Sequence, residues 1–134
     1  MVDTMLRIAW DPDTGGFHLA GSCLGRTAAD GAAVLVRGKP WWPQADGMKV
    51  LLTMTQRHPV DTAKYGEHFV RLWEYVKTYV IDAKRGGWLA EGLDTDPKAR
   101  KRPKATKWKD CSHEVEAVVD LLLVLAGPVE GGGL

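Results

Sequence analysis

Cysteine is scarce in this chain. Cys23 and Cys111 are the only two in 134 residues, and nothing about their spacing suits a metal knuckle. So few thiols argue against a disulfide framework and point to a reducing, cytoplasmic setting. Long apolar runs are missing as well. The most apolar stretch, residues 117–126, is too short to span a bilayer and contains Asp120, so no membrane segment is expected. Asp3 and Arg7 interrupt the first residues, which therefore lack the apolar stretch of a secretion signal. No sign of charge dominates either: 18 Lys and Arg stand against 17 Asp and Glu, a net charge of +1. Such a balance gives no overall pull toward nucleic acid or an anionic membrane. What remains is an ordinary globular composition, 45% apolar and 26% charged, sized for one domain over 1–134.

Against this background one pattern occurs twice. Asp11 to Phe17 reads D-P-D-T-G-G-F and Asp82 to Trp88 reads D-A-K-R-G-G-W, with Asp, Gly-Gly and aromatic in register 71 residues apart. Each copy leads through a loop to a Lys–Trp signal, Lys39-Pro40-Trp41 or Lys107-Trp108, and then into an apolar helical stretch. A repeat of this length marks a stacked helix–loop–helix unit. One unit cannot bury its own apolar face, so its neighbour must. The expected units are 1–60 and 61–127, with 128–134 a flexible Gly-rich tail.

The remaining elements follow from spacing. Residues 1–9 read as the end of a helix, and Asp11 to Gly16 as a turn. Phe17 to Leu19 and Ala33 to Val36 are expected to pair as a short hairpin with 20–32 as its tip. Pro43 suits the first position of a helix running to about Arg57, stopped by Pro59. Asp61 is placed as the cap of the next helix, whose stripe is Tyr65, Phe69, Leu72, Trp73, Val76 and Val80. Ser112 is expected to cap a last helix, 115–126, that is apolar nearly all round and so enclosed by protein. Outer amphipathic and inner apolar helices thus alternate, the layout of an α/α toroid. The fold class is all-α with short β-hairpins: a partial toroid of about four helices in two repeats.

Three segments carry a family resemblance. Trp41-Trp42-Pro43-Gln44-Ala45-Asp46 resembles the W-W-P-Q-A-E segment of the N-acylglucosamine 2-epimerase superfamily, which includes cellobiose 2-epimerases and mannose-type aldose–ketose isomerases. Asp82 to Trp88 resembles its D-x-x-x-G-x-W loop, and Trp108 to His113 its W-K-x-x-Y-H segment. The resemblance spans roughly residues 5 to 126 and corresponds to about the last third of the family's barrel. It implies an (α/α)6 toroid in a complete protein, no metal or cofactor, and proton transfer at C2 of an open-chain sugar through an enediolate. Two His residues share that work in the family.

His113 matches one catalytic His and Asp46 matches the family Glu. By the capping argument His113 lies in the first turn of its helix, where the positive end of the helix dipole disfavours an imidazolium. A neutral ring is what a C–H base must be. Pro43 likewise places Asp46 in a first turn. If the two units stack in parallel, both groups face one rim. Trp42 and Trp108 are the expected sugar-stacking platforms. Gln44 and Lys109 are expected to reach sugar hydroxyls, and Trp88 to anchor its loop. Two positions depart from the family: Glu116 stands where an Arg is usual, and Ser112 replaces Tyr. No His fits the second catalytic position; His18 lies in a loop, and His58 and His68 read as structural or solvated.

Residues 98–109 carry seven basic side chains, among them Arg100, Lys101 and Lys104. They suggest an anion site for a phosphosugar or, less well, for nucleic acid, although Asp94, Asp96 and Asp110 dilute the run. The chain therefore reads as a truncated sugar 2-epimerase or aldose–ketose isomerase. The alternative is a helical carbohydrate-binding module that lost its chemistry. The expected partners are a mono- or disaccharide and, because a partial toroid bares its inner helices, a second copy in a homodimer or a missing companion segment.

Overall fold

A computed structural model of the chain describes residues 1–21, 34–58, 60 and 64–127. The expected cap Asp61, the stop at Pro59, most of the hairpin tip and the Gly-rich tail lie outside them. The elements run α1 (Val2–Ile8), β1 (Ala20–Gly21), β2 (Val34–Val36), α2 (Trp41–Arg57), α3 (Tyr65–Tyr75) and α4 (Ser112–Ala126). A π-helical turn, Val76–Val80, prolongs α3, and a 3-10 turn occupies Ala99–Lys101. The fold is a mostly helical partial toroid in which α2 packs between α3 and α4. The expected short hairpin forms one residue later than its pattern suggested. Ala20 pairs with Val36 and Gly21 with Val34, while Leu19 instead donates its N–H to Gly38 O.

Helix α2 begins at Trp41, two residues before the expected start, with extended Pro40 preceding it. Pro43 still lies in the first turn, where a missing N–H costs no helical hydrogen bond. Ala45, Met48 and Leu51 point inward on its buried face. Along α3 the stripe is nearly as read, with Tyr65, Leu72, Val76 and Val80 buried. Trp73 is the exception. It is 36% exposed, and Tyr75 takes the interior in its stead. The two positions flank the stripe on opposite edges, and the buried Tyr75 hydroxyl is satisfied by donating to Asp94 Oδ1 at 2.9 Å. Burial of each such large side chain contributes about 1.5–3 kcal/mol.

The two Gly-Gly loops have the same geometry. In the first, Asp11 Oδ1 accepts from the N–H of Asp13 and Thr14, and Gly15 N donates to Asp11 O. In the second, Asp82 Oδ1 accepts from Lys84 N and Arg85 N, and Gly86 N donates to Asp82 O. The pairs Trp10–Phe17 and Ile81–Trp88 close the two loops as antiparallel bridges. Gly15, Gly16, Gly86 and Gly87 all have φ between 70 and 82°, the left-handed region that favours glycine. Each Asp also holds a lysine: Lys39 Nζ lies 2.6 Å from Asp11 Oδ2, and Lys104 Nζ 2.8 Å from Asp82 Oδ2. The counterpart of Lys39 is thus Lys104, not the expected Lys107.

The first lysine is the more deeply placed. Lys39 is fully buried, and Nζ also reaches Asp94 Oδ2 at 2.8 Å, Thr14 Oγ1 at 2.6 Å and Gly15 O at 2.9 Å, 4.7 Å above the Tyr75 ring. Segment 90–96 straps across this network. Pro40 bridges Glu91, Gly92 N donates to Lys39 O, and Leu93 N donates to Tyr79 O. Burial alone would raise the Asp11 carboxyl, but the hydrogen bond and charge of Lys39 and the two loop N–H groups outweigh it and hold it far below the usual range. Tyr75 moves the other way: burial and the neighbouring Asp94 push its phenol far up, so it stays a donor.

Helix α4 is not enclosed. Val118, Leu122, Leu123 and Leu125 are 45 to 71% exposed, and only Ala117 is fully buried. Among the described residues nothing covers this face.

Candidate functional site

Where α2 and α4 meet, three expected residues come together. His113 Nδ1 lies 3.3 Å from Asp46 Oδ1, and the Trp42 ring is 6.4 Å from the His113 ring, centroid to centroid. Helix periodicity explains the grouping: Trp42 and Asp46 are four residues apart on one face of α2. His113 lies in the first turn of α4 as expected, but the capping differs. Ser112 is the first helical residue, and its N–H and Oγ–H both donate to Asp110 Oδ1, at 3.0 and 2.6 Å. Asp110 therefore supplies the carboxylate at this helix start, and these hydrogen bonds lower its pKa. Asp46 lies in the second turn of α2 rather than the first, because the helix begins earlier. Its proximity to His113 comes from packing of α2 on α4, not from matching helix ends.

Lys49 completes the group and was missed from the sequence. It reaches Asp46 Oδ1 at 3.3 Å from one turn along α2 and Glu116 Oε2 at 3.4 Å from α4. Burial works against its charge, yet the hydrogen bond and charge of Asp46, then those of Glu116, raise its pKa. Glu116, the departure from the family pattern, thus faces a cation carried by the other helix. The signal was the i, i+3 spacing of Asp46 and Lys49.

Gln44 and Lys109 do not turn toward open space. Gln44 is fully buried; Oε1 accepts from Phe17 N at 2.8 Å, and Nε2 donates to Phe17 O and Pro40 O. It clamps the first loop to the start of α2. Lys109 Nζ is paired with Glu114 Oε1 at 2.7 Å and lies 5.0 Å from the Trp41 ring centre. Both hold the walls of the site in place. Trp108 stands apart at 80% exposure, with Lys107 Nζ 4.9 Å from its ring. Trp88 is buried and anchors its loop, as expected.

Asp46 and Trp42 also line an apolar cavity of about 280 Å³ with Met5, Phe17, His18 and Val50. His18 is buried there, its Nδ1 2.9 Å from Arg37 O and its Nε2 3.9 Å from Asp11 Oδ2. His58 is exposed and tilted against Tyr65, and His68 meets the Trp10 ring edge-on. No group of three or more His, Cys, Asp or Glu among the described residues is arranged to hold a metal ion, and no described helix is long and apolar enough to cross a membrane.

The class defined here is a helical partial toroid with a carboxylate–imidazole pair beside an open indole. Residues 1–117 match the family model described as N-acylglucosamine 2-epimerase (GlcNAc 2-epimerase), and the chain belongs to that family. Among solved structures it is similar to D-mannose isomerase, with 26% identity and a TM-score of 0.72 over 90% of this chain and 28% of that one. It is also similar to a sugar epimerase from a ruminal bacterium, with 26% identity and a TM-score of 0.56 over 69% of this chain and 23% of that one. The chain thus spans about a quarter of the length of each. No match was found among curated proteins.

Proposed function

We propose that this chain contributes one acid–base pair and one wall of a sugar-binding cleft, for epimerisation or aldose–ketose isomerisation at C2. The observation that carries this reading is the 3.3 Å approach of His113 Nδ1 to Asp46 Oδ1 beside Trp42. An ionised carboxylate only accepts hydrogen bonds, so this contact favours the proton on Nδ1 and a free lone pair on Nε2. That nitrogen takes the proton from C2 of an open-chain aldose held against the Trp42 ring. The electron pair moves into an enediolate, and Asp46 stabilises the imidazolium that forms. With a proton passed from O2 to O1, return of the proton to C1 gives the ketose. Return to the other face of C2 gives the epimer and needs a second base. Lys49 holds Asp46 in position. A mono- or disaccharide is the substrate class, with Trp108 as an outlying stacking surface.

A specific observation also favours the second reading, a carbohydrate-binding module without chemistry: among the described residues His113 is the single histidine paired with Asp46, whose other partner is Lys49. Incubation with mannose, glucose or cellobiose in deuterated water separates the two. The enzyme reading expects deuterium at C2, lost in His113→Ala. Sugar-dependent tryptophan fluorescence without exchange leaves only the binding module, and neither signal sinks both. The bare face of α4 supports the expectation of a partner, most simply a second copy.

A further inference from the structure

A second hollow lies away from this cleft and shares no lining residue with it. Its volume is about 510 Å³, and Lys77, Thr78, Lys84, Arg85, Arg100 and Lys101 line it around an Ile81 floor. The sequence shows a diffuse basic run. The fold concentrates it: the second Gly-Gly loop supplies Lys84 and Arg85, the 3-10 turn supplies Arg100 and Lys101, and the end of α3 supplies Lys77. The one carboxylate in the lining, Asp82, is already engaged by Lys104 Nζ and by two loop N–H groups. Lys77 is paired with Glu74. Among the described residues Lys84, Arg85, Arg100 and Lys101 have no acidic partner.

Four unneutralised cations around one hollow repel one another, and a multivalent anion relieves that repulsion. We propose that this hollow binds a small ligand carrying two phosphoryl groups. The two guanidinium forks match phosphate oxygens bidentately, and the two ammonium groups supply point charges. Two phosphoryl groups balance four cations better than one. The concave shape has the volume of a small-molecule site. A single-stranded nucleic acid is the poorer fit: no aromatic lines the hollow to stack a base, and the chain as a whole carries only +1. This proposal is independent of the sugar reading.

The test titrates the full chain, followed by amide NMR at low salt, with inorganic pyrophosphate, a hexose 1,6-bisphosphate and inorganic phosphate. The expected result is saturable shifts confined to 77–85 and 99–101 with both diphosphoryl probes, weaker for single phosphate and weakening with added salt. Arg85→Ala with Arg100→Ala should reduce the affinity at least roughly tenfold at an unchanged melting temperature. Three results overturn the proposal: no saturation with either diphosphoryl probe, equal affinity in the double variant, or equal affinity for single phosphate. Tighter binding of a short DNA strand, with shifts spreading over 98–109, would overturn it in favour of nucleic acid.

Discussion

Replacing Lys39 by Met leaves a hollow full of oxygens with no cation. Nζ now lies within 3 Å of Asp11 Oδ2, Asp94 Oδ2, Thr14 Oγ1 and Gly15 O, and the side chain is wholly buried. Removing one partner of a buried ion pair costs about 3–5 kcal/mol, because the other charges stay desolvated. In a domain of this size that lowers the melting temperature by roughly 10–20 °C. The repeat provides its own control. Lys104 grips Asp82 with the same geometry, but its side chain is 28% exposed and water can replace it. Lys104→Met should therefore cost far less. Melting followed by circular dichroism compares the two variants, and equal losses would refute burial as the source of the difference. Acid adds a sign test. The Asp11 carboxyl is held below its usual value of about 3.9, so its pairing stabilises the fold above that pH and the benefit fades as pH falls through the lower folded value. The gap between the parent chain and Lys39→Met should stay constant through mildly acid solution and narrow only below the ordinary carboxylate range.

The glycines offer a second matched pair. Gly16→Ala and Gly86→Ala each force alanine into left-handed backbone, a strain of about 1–2 kcal/mol, but at Gly16 the new Cβ meets the Tyr75 ring at 2.8 Å while at Gly86 nothing lies within 4 Å. Urea unfolding should show Gly16→Ala as clearly the worse, and a reversed order would count against the packing described. On α4, Leu122→Lys with Leu125→Lys should leave stability within about 0.5 kcal/mol per substitution while reducing hydrophobic-dye binding and light scattering. A large stability loss there would mean that the face is covered.

The sequence made visible what depends on local pattern. The twin loops and the inward face of α2 follow from spacing and motif order, whereas Asp46 meets His113 through the packing of α2 on α4. The parts it hid depend on partners distant in the chain. Nothing in Trp41-Trp42-Pro43-Gln44 reveals that Gln44 faces Phe17 rather than solvent, because its partners are backbone atoms of another loop. Lys39 and Lys104 were not matched because their separation differs from that of the loops they serve. The buried Tyr75 finds its partner in Asp94, nineteen residues on. Helix α4 read as enclosed because its composition is that of an inner helix, whereas its open side depends on what else is present to cover it.

The strap at 90–96 has a consequence for how this chain comes apart. Arrays of repeated hairpins ordinarily fray from one end, each unit opening with little effect on the next. Here the first loop reaches Asp94 through both Thr14 and Lys39, and the strap itself hangs from Tyr75 and Tyr79 on the opposite side. The first loop cannot open without releasing the strap, so the slow amide protons of Gly15, Gly92 and Leu93 should exchange with solvent in a single concerted event.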